Sequence, residues 1–251
     1  LLHLPKPMRI VVFVLAFLSC AGHVHKAQHA ADIAPEHPGG ALKDFAMLLL
    51  AFSPGASQQS VGAGLGSPRV PKRRGDVFAS TVSADTVASA KAALVSLCES
   101  TPDNGVGVSE DRLAEIEASI AELEQGCPPK PARRELSGIY DLLFCTAKGG
   151  SNGKVGPFVG EVTQTFVDDT KFINAVELFG GAVRIALYAE REVIADDRIK
   201  VTFKETGGSL FGKELFRKEI NGSGVWKQRY NDGDLRVMNT PSIFVLRKRQ
   251  T

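Results

Sequence analysis

The apolar pattern of this chain changes its period once, between residues 126 and 136, and that change restricts the fold more than any short motif does. On the N-terminal side Val87, Ala90, Ala93, Leu94, Leu97 and Cys98 recur at threes and fours, the spacing of one helical face. Pro102-Asp-Asn-Gly105 is turn chemistry that stops this helix. Ser109 then offers an N-cap hydroxyl, and Glu110 and Asp111 put negative charge in a first turn, where the helix dipole favours it. Leu113, Ile116, Ile120 and Leu123 form the apolar stripe of this second helix, which Gly126-Cys127-Pro128-Pro129 ends. Two helices within residues 85–126 are therefore expected, covering one end or face of the segment C-terminal to them.

From Leu136 the period is two. Candidate strands are 136–146, 159–166, 171–178, 182–191, 197–204, 224–230, 234–238 and 242–249. Strand 197–204 alternates cleanly, with Ile199, Val201 and Phe203 on one face and Arg198, Lys200, Thr202 and Lys204 on the other. Turn residues separate the runs: Gly149-Gly-Ser-Asn-Gly153, Asp168-Asp169, Gly180-Gly181, Asp196-Asp197, Gly207-Gly208 and Asn231-Asp-Gly233. About eight short strands with no helix between them make an antiparallel sandwich or barrel, and a closed eight-stranded barrel leaves room for one small apolar ligand.

Charge and histidine content narrow the chemistry. Residues 1–80 hold eight Lys and Arg against four Asp and Glu, whereas residues 81–251 hold 22 against 24. The basic excess belongs to the first third, which argues against a nucleic-acid surface on the body. All five histidines (His3, His23, His25, His29 and His37) lie in that same third. The body therefore offers neither a Ser-His-Asp or Cys-His constellation nor a histidine metal site. Its cysteines, Cys98, Cys127 and Cys145, show no C-x-x-C spacing, which supports neither zinc ligation nor a disulfide framework; a redox pair between Cys98 and Cys127 is left open by arithmetic alone. No catalytic centre, metal or cofactor is expected.

Residues 1–80 read as a targeting leader. Met8-Arg9 precedes an apolar run ending in Ser19-Cys20-Ala21, the pattern of a signal peptide over about 8–21 and too short for a bilayer span, which needs roughly 20 apolar residues. Residues 22–80 mix Gly, Pro, Ser and Ala with scattered positive charge, a composition that does not bury enough apolar surface to fold. The pair resembles the bipartite leader of algae whose plastid lies inside the endomembrane system, and Ala51-Phe52-Ser53-Pro54 resembles a cleavage motif of such leaders. The alternative is an unordered tail with no targeting role.

The body, from about residue 86 to 249, resembles the plastid lipid-associated proteins, or fibrillins. Ile120-Ala-Glu-Leu-Glu-Gln-Gly-Cys-Pro128 is similar to that family's Leu-Glu-x-x-Asn-Pro segment. Leu136-Ser-Gly-Ile-Tyr-Asp-Leu-Leu-Phe-Cys-Thr146 resembles its opening strand, with Tyr140 where the family usually has Trp and Cys145 where it often has Tyr. Gly156-Pro157-Phe158 and Val162-Thr-Gln-Thr-Phe166 resemble its middle signature. Tyr230-Asn-Asp-Gly-Asp-Leu-Arg-Val237 and Ile243-Phe-Val-Leu246 resemble its ending, although Asn239-Thr240 stands where Arg-Gly is usual. The resemblance implies a lipocalin-like antiparallel β-barrel preceded by two α-helices. It further implies a non-enzymatic protein that binds or stores plastid lipids such as carotenoids or prenylquinones at the surface of thylakoids or plastoglobules.

Candidate lipid-binding residues are Tyr140, Phe158, Phe211, Trp226, Tyr230, Asp234 and Arg236. Tyr140 either packs at the closed end, against Arg247 as in the lipocalin Trp–Arg stack, or touches ligand. Trp226 and Tyr230 lie on one strand as core or contact residues, and Phe158 and the Leu210-Phe211 pair of a Gly207–Gly212 loop are placed for surface contact. Asp232, Asp234 and Arg236 are either hairpin chemistry, with Asp234 and Arg236 paired on one face, or a polar cluster for a lipid head group. Arg217, Lys218, Lys227 and Arg229 either face anionic head groups or form a solvated strand face. Two alternatives to lipid binding remain: a protein-binding scaffold of the plastid, and an enzyme of carotenoid metabolism, for which no Gly-x-Gly-x-x-Gly fingerprint is present.

Overall fold

The computed structural model describes residues 83–147, 149–240 and 242–250; the leader expected over 1–80, including its 8–21 segment, lies outside the described residues. Two α-helices come first, α1 (Ala84–Glu99) and α2 (Glu110–Glu124). A serine caps each: the Ser83 hydroxyl accepts from the Thr86 amide at 3.2 Å, and that of Ser109, the expected cap, from the Arg112 amide at 3.3 Å. A 3-10 turn, Asp103–Gly105, joins them, and a second, Pro131–Arg133, leads into the barrel.

Ten strands come next: β1 (Gly138–Cys145), β2 (Lys154–Val155), β3 (Phe158–Val159), β4 (Glu161–Phe166), β5 (Lys171–Leu178), β6 (Val183–Ala195), β7 (Arg198–Leu210), β8 (Lys213–Asn231), β9 (Leu235–Asn239) and β10 (Ile243–Lys248). Eight of them close an antiparallel barrel in the order β1-β10-β9-β8-β7-β6-β5-β4, while β2 and β3 form a separate two-stranded ribbon. Because consecutive strands pair throughout, this is an up-and-down meander whose last strand returns to its first.

The expected mainly-β, barrel-plus-two-helices class is the observed one, and three strands are longer than their alternation suggests. The expected loop Gly207–Gly212 does not exist as such. Gly207 and Gly208 sit inside β7, and only Phe211-Gly212 turn the chain, with φ of 48° and 76°. Gly208 is a strand residue without a side chain because a Cβ there would lie 2.3 Å from the Phe216 ring. Gly222 and Gly224 pair with Phe203 and Val201 inside the 19-residue β8, which starts well before the expected strand 224–230.

The helices cover a wall of the barrel. Leu94, Cys98, Ile116, Ile120 and Leu123 pack against Phe144, Tyr230, Leu235, Val237, Ile243 and Val245, the outward-facing residues of four adjacent strands. A register shift between Leu142 and Phe144 turns Phe144 outward to the helices while Leu142 and Cys145 face the interior cluster. Ion pairs tie the layers: Glu124 receives Arg229 at 2.6 and 2.9 Å, and Lys91 reaches Asp232 at 2.7 Å. The interior cluster contains Tyr140, Phe166, Phe172, Val201, Trp226 and Leu246, and the segment Ala132–Leu136 plugs the end of the barrel from which β1 starts.

Candidate functional site

The plug determines what kind of site the barrel can hold. The Ala132 amide bonds the Asp196 carbonyl at 2.9 Å, and Asn231 donates from Nδ2 to the Pro131 carbonyl at 2.8 Å, so the segment is stitched to two turns of the barrel. Arg191, whose side chain is almost wholly buried, completes the seal. It donates to the Asp169 carboxylate and carbonyl and to the Arg134 carbonyl. Asp169, read as a turn acid, is therefore also the counter-ion of a buried guanidinium.

Above the plug, the interior holds a cavity of about 100 Å³. Its walls are Leu142, Val162, Phe203, Trp226, Met238 and Leu246, and the residues Gly150, Ser151 and Thr240 border it from the loops opposite the plug. Trp226 stands between Phe172 (5.9 Å between ring centroids) and Phe203 (6.3 Å). Three polar side chains, Thr163, Gln164 and Asn174, interrupt this apolar lining. Gln164 donates from Nε2 to Asn174 Oδ1 at 2.9 Å, and its Oε1 accepts from Nη1 of Arg236.

Arg236 is the unusual residue of the interior. It is 0% exposed. Its other contacts are the Gln228 Oε1 at 3.3 Å, the Met238 sulfur at 3.8 Å and the faces of Tyr140 and Phe166, with ring centroids at 5.4 and 5.2 Å. Its Nε has no hydrogen-bond partner, and among the described residues no carboxylate lies within 4.0 Å of the guanidinium. Burial lowers its pKa to about 10, opposed by the neighbouring Tyr140, so at neutral pH it carries its charge. A buried cation surrounded only by neutral groups costs several kcal/mol of desolvation that two amides and two rings offset in part.

The seven candidate residues separate into two groups. Tyr140, Trp226 and Arg236 all lie in the interior, Arg236 against the face of Tyr140 and Trp226 on the cavity wall. The expected Tyr140–Arg247 stack is not formed: Arg247 points outward to Glu99 at 2.7 Å, and Arg236 supplies the cation instead. The expected Asp234–Arg236 pair is absent too, because Asp234 belongs to the exposed turn and lies 3.5 Å from Lys91 while Arg236 points inward. Tyr230 is on the outer wall beneath the helices, bonded to Asp232 at 3.0 Å. Phe158 packs edge-on against Phe179 at 5.0 Å, beside Val155, Val176 and Leu178. Phe211 is 60% exposed at the tip of the β7–β8 hairpin.

The turn around Asp232 is structural. The carboxylate accepts from the Asp234 and Leu235 amides at 2.9 and 2.8 Å and from Lys91. Burial raises its pKa, but these donors outweigh it and hold the group below the ordinary carboxylate value. The two arginines of β8 are likewise paired: Arg229 with Glu124, and Arg217 with Glu205 and Glu214 at 3.0 and 3.2 Å. Cys98, Cys127 and Cys145 are free thiols.

Sequence reasoning missed Gln164, Asn174 and Gln228, which form the polar side of the interior. Their signal is a polar residue at an inward register position: Gln164 pairs with Asn174 and Gln228 with Met238 across adjacent strands.

Among the described residues, no helix is long and apolar enough to cross a membrane, and no cluster of three or more metal-ligating side chains occurs. The PAP_fibrillin family model matches residues 88–227, which run from α1 into β8. No curated protein and no solved structure matches the chain. By that match the chain belongs to the PAP_fibrillin family, the plastid lipid-associated proteins, which are in general structural rather than enzymatic.

Proposed function

We propose that this protein binds a hydrophobic plastid lipid, such as a carotenoid or prenylquinone, inside its barrel and associates peripherally with thylakoids or plastoglobules, without catalysing a reaction. The observation that carries this reading is the apolar cavity bounded by Trp226 and Phe203, sealed on one side by the Ala132–Leu136 plug. Such a chamber buries a tail and leaves one end for exchange. At about 100 Å³ it holds part of a lipid. Drug-sized ligands occupy roughly 300–1,000 Å³, so a long chain must extend past the Gly150–Ser151 loop, parting it from the barrel rim. Phe211, on the hairpin tip, gives the barrel an exposed aromatic for a lipid surface. Residues 1–80 serve as a bipartite leader delivering residues 81–251 to the plastid.

Mass spectrometry tests this directly. The full chain, incubated with a thylakoid lipid extract and repurified, is expected to carry lipid in stoichiometric amount, and Trp226→Ala to lose it. Trp226 is the only tryptophan of the chain, so its emission shift on titration reports filling of the cavity. A folded barrel free of lipid, with unchanged emission, overturns the carrier reading and favours the scaffold, in which the barrel is a rigid platform for other plastid proteins.

A further inference from the structure

The interior contains two buried arginines, and only one has an anion. Arg191 is neutralised by Asp169 and turned into the plug. Arg236 faces the cavity wall from behind Gln164 and Met238, with neutral partners on Nη1 and Nη2 and none on Nε. A structural arginine is ordinarily satisfied by carbonyls or a carboxylate, as Arg191 is. Arg236 instead has a spare donor and one uncompensated positive charge beside an apolar chamber.

We propose that the barrel takes a long-chain carboxylate, a fatty-acid-like monoanion whose head group binds Arg236 and whose tail lies along Trp226, Phe203 and Leu246. The inference rests on the reading of the barrel as a lipid site and specifies the ligand's polar end. A planar carboxylate matches the guanidinium fork, taking Nε and an Nη together once the Gln164 oxygen is displaced from Nη1. Gln228 keeps its oxygen on Nη2, and the Gln164 amide, once turned, presents an N–H to the bound carboxylate. The charge selects a monoanion, because Arg236 is the single uncompensated cation there; a diphosphate head would bring two or more negative charges to it. The side chains touching the guanidinium are Tyr140, Gln164, Phe166, Gln228 and Met238, all neutral; the nearest charged group is Arg191, which lies against the same Phe166 ring and is paired with Asp169.

The test compares cis-parinaric acid with its methyl ester on the full chain at neutral pH, read by the probe's fluorescence. The acid is expected to bind about tenfold more tightly or better, and Arg236→Met to bring the two to equal affinity. Arg236→Met removes a buried group, so the unmodified protein is also titrated with [1-13C]oleate. The bound carboxyl carbon is expected to stay ionised to a lower pH than that of free oleate. Equal binding of acid and ester, or an acid preference that survives in a folded Arg236→Met variant, overturns this inference while leaving the barrel a lipid site. Binding of neither probe, with no lipid recovered from the thylakoid extract, overturns both.

Discussion

The Tyr140 hydroxyl donates a 2.6 Å hydrogen bond to the carbonyl of Gly233, fastening the first barrel strand to the turn between β8 and β9. The same ring carries the Arg236 guanidinium on its face, so one side chain locks a turn and supports the buried cation. Tyr140→Phe keeps the ring and leaves the Gly233 carbonyl without this donor. The expected loss is about 1 kcal/mol, or roughly 3 °C in thermal midpoint, measured by circular dichroism melts.

Gly105 ends the 3-10 turn at φ +82°, and a Cβ there would lie 2.6 Å from the Phe144 ring and 3.2 Å from the Cys145 carbonyl. Gly107 has a similar φ of +77° but nothing within 4 Å of its Cβ position. Gly107→Ala is therefore expected to cost about 1 kcal/mol of backbone strain. Gly105→Ala adds the clash, about 1–3 kcal/mol more. Urea titration of the two variants separates conformation from crowding.

The thiols of Cys98 and Cys145 are pushed up to about 12 by burial. Cys127 is half-buried and its pKa is raised by burial to a lesser degree. Because the thiolate is the reactive form, iodoacetamide at pH 8 is expected to modify Cys127 slowly and to leave Cys98 and Cys145 intact until denaturant is added. Peptide mapping checks this; rapid native labelling of Cys98 would mean that α1 lifts from the barrel.

Arg229 holds the Glu124 carboxyl below its ordinary value of 4.5, first by the side-chain hydrogen bond and then by its charge. A folded-state pKa below the unfolded one means that the pair stabilises fully above about pH 4.5 and that this contribution fades as pH falls through the lowered value. Glu124→Gln is expected to be less stable at pH 7 and to lose less stability than the unmodified protein between pH 5 and about pH 3. Paired melts across that range show it.

Phe211→Asp puts a charge at the hairpin tip without touching the interior. It is expected to reduce sedimentation with thylakoid-lipid vesicles several-fold while leaving the Trp226 emission and the melting temperature unchanged. Undiminished vesicle binding would locate the membrane contact elsewhere.

The cap of α2 and the strand count were legible because each rests on local chemistry: Ser109 accepts from its own first turn, and the turn acids bound six of the strands. Which way a strand's residues face was harder. On β9, Leu235 and Val237 point outward and Arg236 and Met238 inward, the reverse of an ordinary barrel, because the helices demand an apolar outer wall there. Both faces of that strand are buried, so alternation marks two sides without saying which is the interior. That ambiguity left Arg236 named as a candidate but grouped with Asp234 at the turn, when its side chain is buried on the other face of the strand. Long strands were hidden differently: Gly207, Gly208, Gly222 and Gly224 carry turn composition but serve close packing and register shifts.

Closure of the ring sets an order of assembly. The apolar faces of α1 and α2 are among the first parts of the body to be synthesised, yet the wall they rest on includes β9 and β10, the last. β1 likewise waits for β10, roughly a hundred residues on, before its outer edge is satisfied. A chain emerging from a ribosome or threading a translocation pore therefore carries exposed helices and an unpaired edge until Ile243–Lys248 arrives, after which the whole body can snap shut at once. Holding chaperones would be needed for most of that passage and dispensable at its end.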